Sequence, residues 1–294
     1  MRSYRLSGQD FHYPFQIRDI EPFAINAGTA DQAAPFVPYS FLKNESGAVE
    51  PLALVSKTVG WVANAQRSVE TWSIPTGFIL RVEGGSDFYI SADGQKIESA
   101  NQNNEMMNET DRQILLGPVL VLALALRGIW CLHASAVMFK EKTVIFLGES
   151  GEGKSTLAAY LSREPDWRLV ADDILPVTTD ANKVQILPRF PQLKLSPDSQ
   201  PCIGLPENLP LENVWILKRA KAEEMPELQA ITTAHGVQVL LRHIAGTRMF
   251  DSTLLARHLE FCAKVAKHIS FYELTYPHRK GVLPEIQKLL QSLS

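Results

Sequence analysis

Up to about Thr110 the chain alternates apolar and polar residues; beyond it, helical and strand-like apolar segments take turns. Gly77-Phe-Ile-Leu-Arg-Val-Glu83 and Asp87-Phe-Tyr-Ile-Ser91 have the period-two rhythm of strands, and Gly84-Gly85-Ser86 between them predicts a turn. Asp93-Gly94 is a further turn signal, and Trp61 and Trp72 are the expected anchors of this small sheet. A polar stretch from Ser99 to Asn108 reads as a linker. The continuous apolar run Ile114 to Leu126 follows, with Asp111, Arg112 and Gln113 before it and Arg127-Gly128 after it, which predicts a buried helix ending at the glycine.

Next come a strand near Ile129 to Phe139, a turn at Lys140 to Lys142, and a β-branched strand from Val144 leading into a glycine-rich turn and a helix. Arg168-Leu-Val-Ala171 predicts one more strand, ending at Asp172-Asp173. Prolines at 188, 191, 197, 201, 206 and 210 mark an irregular surface segment. Asn213 to Lys218 reads as a strand. Leu255, Leu259, Cys262, Ala266 and Ile269 recur at helical spacing after a cap at Asp251 or Ser252. Phe271 to Tyr276 predicts a strand, and Pro284 to Leu290 a last helix with proline in its first turn. Strands alternating with helices predict an α/β fold, with a β-rich unit over 1–108 for docking or structure and an α/β domain over 109–294.

The overall charge narrows the function classes. A net charge of −3 excludes a general binder of nucleic acid or anionic membrane. The apolar run at 114–126 is too short to span a bilayer, which takes about twenty residues. Met1 to Ile17 mixes polar, charged and aromatic residues, so no secretory signal is expected. Cys131, Cys202 and Cys262 form no C-x-x-C pair and suit a reducing cytoplasm, as small buried hydrophobes.

The chemistry concentrates in Gly148-Glu-Ser-Gly-Glu-Gly-Lys-Ser155, a G-x-x-x-x-G-K-S sequence between a strand and a helix. Gly151 and Gly153 allow backbone N–H groups to converge on a phosphate chain, and the helix adds its positive end. Lys154 is expected to reach the β/γ-phosphates and Ser155 to hold Mg²⁺. The nucleotide contacts would run through Gly148, Glu149, Ser150, Gly151, Glu152, Gly153, Lys154, Ser155 and Thr156, with ATP or GTP as ligand. The Glu149 and Glu152 side chains are expected to face solvent, since they would repel phosphates. Asp172-Asp173 could divide two tasks, one carboxylate at the metal and the other taking a proton from an attacking hydroxyl. The same pair would also suit a solvated turn or a helix cap.

Leu132-His-Ala-Ser-Ala-Val137, the glycine loop and Leu169-Val-Ala-Asp-Asp173, in that order, resemble the catalytic core of HPr kinase/phosphorylase. They resemble even more its HPr-kinase-like serine kinase relatives, some from lasso-peptide biosynthesis; the fold of this family is related to phosphoenolpyruvate carboxykinase. The resemblance covers roughly Cys131 to Leu175 and continues more weakly through Pro188 to Pro197. It implies a P-loop core with a mixed sheet and flanking helices, Asp172 as general base, Asp173 at the metal with Ser155, and His133 near the phosphates. His133 reads equally as a core histidine bonded to backbone. Two departures stand out: the family's E-x-R-G-x-G-(I/L) signature has no equivalent, and Thr156 stands where true HPr kinases usually have Glu.

These readings converge on an ATP- and Mg²⁺-dependent kinase acting on a hydroxyl, carried by a peptide, a small protein or a small molecule. The alternative is a nucleotide-gated regulatory NTPase with no dedicated acceptor. Arg189, Lys194, Arg242 and Arg248 are weaker candidates for a phosphate clamp, surface basic residues being common. The remaining histidines have no zinc-site spacing. The hexamers of HPr kinases raise homo-oligomerisation, but no interface is legible.

Overall fold

The structure, a computed structural model, describes residues 2–13, 16–25, 53–99, 107–180, 183–195, 201 and 204–292. Most of the linker read at 99–108 lies outside these, as do Cys202 and Pro197. The chain divides into two compact units, one of Met1–Trp130, Leu195–Asp198 and Gly246–Arg257, the other of Cys131–Lys194, Ser199–Ala245 and His258–Ser294. The architecture is mixed α/β with a β-rich N-terminal region and flanking helices.

In the first unit, β1 (Arg2–Leu6), β2 (Gln9–Tyr13) and β3 (Ala24–Ile25) form a three-stranded sheet in the order β2-β1-β3. A five-stranded antiparallel meander follows: β4 (Ala53–Val62), β5 (Ala65–Ile74), β6 (Gly77–Val82), β7 (Phe88–Ser91) and β8 (Ile97–Ser99). The expected hairpin is β6–β7, in the register Phe78↔Ile90. Trp61 does not anchor this sheet. It is 74 % exposed on edge strand β4, and only Trp72, its indole N–H donating to Glu70, is half-buried.

The apolar run is helical but broken. Helix α1 (Glu109–Ile114) and helix α2 (Leu120–Leu126) are joined by a wide turn at Leu115–Val119. Pro118 lacks the N–H a regular helix needs there, and Gly117 takes non-helical angles. Gly128 then ends the helical stretch at φ 78°. No helix among the described residues is long and apolar enough to cross a membrane.

The second unit carries one mixed sheet. Its strands are β9 (Trp130–Phe139), β10 (Lys142–Leu147), β11 (Trp167–Asp180), β12 (Lys183–Ile186), β13 (Leu209–Ala220), β14 (Glu227–Ala230) and β15 (Ser270–Pro277). Their order is β10-β9-β11-β12-β13-β15-β14, and β10 also pairs with β13 in parallel. The first five strands in that order therefore close into a ring, from which β15 and β14 branch at β13. Helix α3 (Lys154–Leu161) and helix α6 (Leu283–Ser292) cover one face through Phe146, Leu157, Leu161, Trp215, Leu274, Ile286 and Leu290, each nearly or wholly buried. Burying one such side chain contributes about 1.5–3 kcal/mol.

Three expectations need correction. Strand β11 does not end at the aspartates but runs through them, because Ile174, Val177, Thr178 and Thr179 keep the chain β-prone. The proline segment is not a surface loop throughout. Leu187, Pro188, Phe190, Pro191 and Gln192 are buried along β11, where the Leu187 N–H donates to the Pro176 carbonyl. The expected stripe of helix α5 (Ser252–Val265) holds at Cys262, and at Ala266 and Ile269 beyond its end, but not in its first turns. There Leu254 is buried, while Leu255 and Leu259 are 43 % and 52 % exposed, and Phe261 and Val265 are buried beside the stripe. The Asp251 carboxylate caps the helix through the Leu254 N–H at 2.8 Å.

Helix α4 (Thr233–His243) meets β15 on the face opposite α3 and α6, since Phe271 is odd-numbered where Tyr272, Leu274 and Tyr276 join the α3–α6 core. A Cβ built on Gly236 would come within 2.5–2.9 Å of three Phe271 ring atoms. Gly236→Ala sets a helix-propensity gain of about 1 kcal/mol against an overpacking cost of about 1–3 kcal/mol. Net destabilisation is expected in a urea titration; a stabilised variant would show that α4 and β15 part easily.

Candidate functional site

The site forms where β10 ends. Leu147 is the last strand residue, and the chain reaches α3 through Gly148 at φ 147°, Gly151 at 91° and Gly153 at 88°. Two of these glycines are also required by space. A Cβ on Gly148 would lie 2.9 Å from the Leu217 carbonyl oxygen on the parallel neighbour β13, and one on Gly153 would collide with the Tyr276 hydroxyl. That hydroxyl donates to the Glu152 carbonyl at 2.9 Å and so ties the loop to the end of β15. Burial, helped by the Glu152 charge, pushes the Tyr276 phenol up to about 12, so it remains a donor across the neutral range.

Lys154 opens α3, and its Nζ donates to the carbonyls of Gly148 at 2.8 Å and Glu149 at 3.1 Å. Burial lowers its pKa; Glu149, Asp172 and Asp173 work against that shift, while Lys194 adds to it. Ser155 and Thr156 follow, both exposed. Glu149 is exposed as expected, but Glu152 is not: it is half-buried, and its Oε2 is buried without a hydrogen-bond partner. The Tyr276 bond to its carbonyl draws this residue inward.

Across from the loop stand β9 and β11. His133, exposed on an otherwise buried strand, puts Nδ1 3.2 Å from Asp173 Oδ1 and 3.1 Å from the Asp173 carbonyl oxygen. Ser135, two residues on and so on the same face of β9, donates from Oγ to Asp172 Oδ1 at 2.6 Å. Lys194 Nζ sits 2.7 Å from Asp173 Oδ1. Burial raises the Asp173 pKa, but hydrogen bonds from His133 and Lys194 and their charges outweigh it and hold the carboxyl below its ordinary value.

These groups enclose a cavity of about 240 Å³ lined by His133, Ser135, Ser150, Gly151, Gly153, Lys154, Ser155, Thr156, Asp173 and Lys194. Of the expected residues, Lys154, Ser155, His133 and Asp173 thus share one space, and Asp172 is coupled to it through Ser135. Among the described residues no group of three or more His, Cys, Asp and Glu could cage a metal. The oxygens that line the cavity are the Asp173 carboxylate and the hydroxyls of Ser135, Ser150, Ser155 and Thr156.

The sequence reading named Lys194 only as a weaker candidate and did not single out Tyr276 or His243. Lys194 was only one basic residue among several, yet it is the one on the carboxylate. Arg189 instead pairs with Glu207 at 3.1 Å. Tyr276 could be found only once β15 was known to lie beside β13. His243, at the end of α4, feels the charges of Glu149, Lys154 and His133. Burial lowers its pKa, Glu149 acts against the shift, and the Lys154 and His133 charges reinforce it.

No protein-family model matches the chain, and no curated protein does. Among solved structures, an HPr(Ser) kinase/phosphatase from Coxiella burnetii is similar over 55 % of this chain and 94 % of that one, at 15 % identity and a TM-score of 0.33.

The lowered pKa of Asp173 fixes the sign of a pH effect. Its stabilising contribution is present above the unfolded value of about 3.9 and is lost as pH falls through the lower folded value. Lys194→Met should raise the Asp173 pKa in a carboxyl-carbon NMR titration and shift this loss to higher pH. An unmoved resonance midpoint would mean that the ion pair contributes nothing in solution.

Proposed function

We propose that the chain is an ATP- and Mg²⁺-dependent phosphotransferase of HPr-kinase-like type that phosphorylates a hydroxyl group. The observation that carries this reading is the cavity itself. A glycine loop with its lysine and serine at a helix start opens into the same space as a carboxylate with a lowered pKa. A structural turn needs no such partner, whereas phosphoryl transfer needs both, a cradle for phosphates and a carboxylate for the metal that accompanies them.

In this reading the amides of Gly151 to Lys154 and the Lys154 ammonium bind the phosphates, and Ser155 and Asp173 would hold Mg²⁺. Bound together, nucleotide and metal supply the phosphoryl group and neutralise its charge. Asp172 takes the proton of the acceptor hydroxyl; Ser135 donates to its Oδ1 and so orients that carboxylate. His133 keeps Asp173 ionised and, when protonated, adds positive charge beside the transferring group. The work of the protein is therefore positioning and charge stabilisation. The acceptor belongs to the class of serine-bearing peptides, small proteins or hydroxylated small molecules.

Lys154→Ala should abolish nucleotide binding measured by calorimetry. Asp172→Asn should bind nucleotide with nearly unchanged affinity yet lose about a hundredfold or more of transfer from γ-labelled ATP to an acceptor in cell extract. Near wild-type transfer by Asp172→Asn would remove its role as base. Release of free phosphate alone, with no labelled acceptor, would favour a regulatory NTPase.

A further inference from the structure

We infer that Lys194 is the cation that reads the terminal phosphate, so that the cavity tells a nucleoside triphosphate from a diphosphate by a lysine outside the glycine loop. This rests on the nucleotide reading above and deepens it.

The backbone leading to Lys194 is held by a side chain. Pro188 and Pro191 cannot donate to a strand partner, so the segment following β12 cannot continue the ladder along β11. Gln192, 1 % exposed, takes over. Its Oε1 accepts the Asp172 N–H at 3.0 Å, and its Nε2 donates to the Ile174 carbonyl at 2.8 Å and the Phe190 carbonyl at 3.2 Å. The amide therefore grips β11 on both sides of Asp173, and Lys194, two residues later, starts beside that carboxylate.

The lysine itself is free to change partner. Its side chain is 67 % exposed, and an ion pair of that exposure contributes little, so moving Nζ from Asp173 to a second oxyanion costs little. Lys154, tied to the loop carbonyls, reaches the β- and γ-phosphates from the loop side. The phosphate to be transferred must lie towards the carboxylates that receive the acceptor proton. There it adjoins Asp173, which would also hold Mg²⁺, and a second cation beside them further lowers the repulsion between the two anions. Lys194 already occupies that place, in the cavity that Lys154 and Ser155 also line.

The test compares Mg²⁺ complexes of ADP and of a non-hydrolysable ATP analogue by calorimetry. Lys194→Ala should weaken the triphosphate by about ten- to a hundredfold, the range of a lost hydrogen bond to a charged group, and leave ADP within about twofold. Lys194→Arg should recover most of the difference, and retained ADP binding reports that the variant is folded. Equal loss for both ligands, or loss for neither, overturns the inference while the nucleotide reading stands. A wild-type protein that binds neither ligand overturns both.

Discussion

The candidate site depends on one stretch of backbone, the edge of β11 between Asp172 and Ile174. A strand that runs through a cluster of charges must still satisfy its amides, and bare carboxylates offer no help with that. The Gln192 amide supplies both a donor and an acceptor there, doing for two residues what a neighbouring strand would do for the whole edge. Because that amide is buried, losing it would leave a backbone N–H and a carbonyl unpaired, each at a cost of about 1–3 kcal/mol. The same contact settles where the chain goes next, and so where a lysine can arrive.

Around that edge the charges balance one another. Asp172 and Asp173 are adjacent, and like charges so close would push one of them towards neutrality. Lys194, His133 and, through space, Lys154 offset that repulsion from different elements. The Ser135 hydroxyl serves the other carboxylate without adding charge. With both carboxylates and both lysines charged, the arrangement is close to neutral.

The parts legible in the sequence were those set by local chemistry. A glycine loop between an apolar strand and a helix dictates its own backbone angles, so Gly148, Gly153 and Lys154 could be read directly. Period-two alternation was enough for β6 and β7. What escaped notice was fixed by packing at a distance. Trp61 has the composition of a core residue but lies on an edge strand. Leu255 and Leu259 keep helical spacing yet lie exposed, while Leu254 and Phe261 are buried on that helix. The prolines were read as punctuation for a surface loop, yet the segment that carries them lies buried against β11, held by the Leu187 N–H and clasped by the Gln192 amide. Lys194 stood among several basic candidates and Tyr276 was read only as the end of a strand, since the place of each depends on another strand.

The ring formed by β10, β9, β11, β12 and β13 has a consequence for how the cavity comes into being. Its closing pair, β10 with β13, joins segments separated by the glycine loop, α3, the two aspartates and the whole clasped segment. Gly148 can lie against Leu217 only after that closure. Contacts between segments so distant along the chain form late, because the entropy of the intervening loop opposes them until the ends meet. A partly folded chain can thus have its strands and helices and still lack any cradle. The packing of the glycine loop against β13 is therefore a product of ring closure and not of the loop sequence alone.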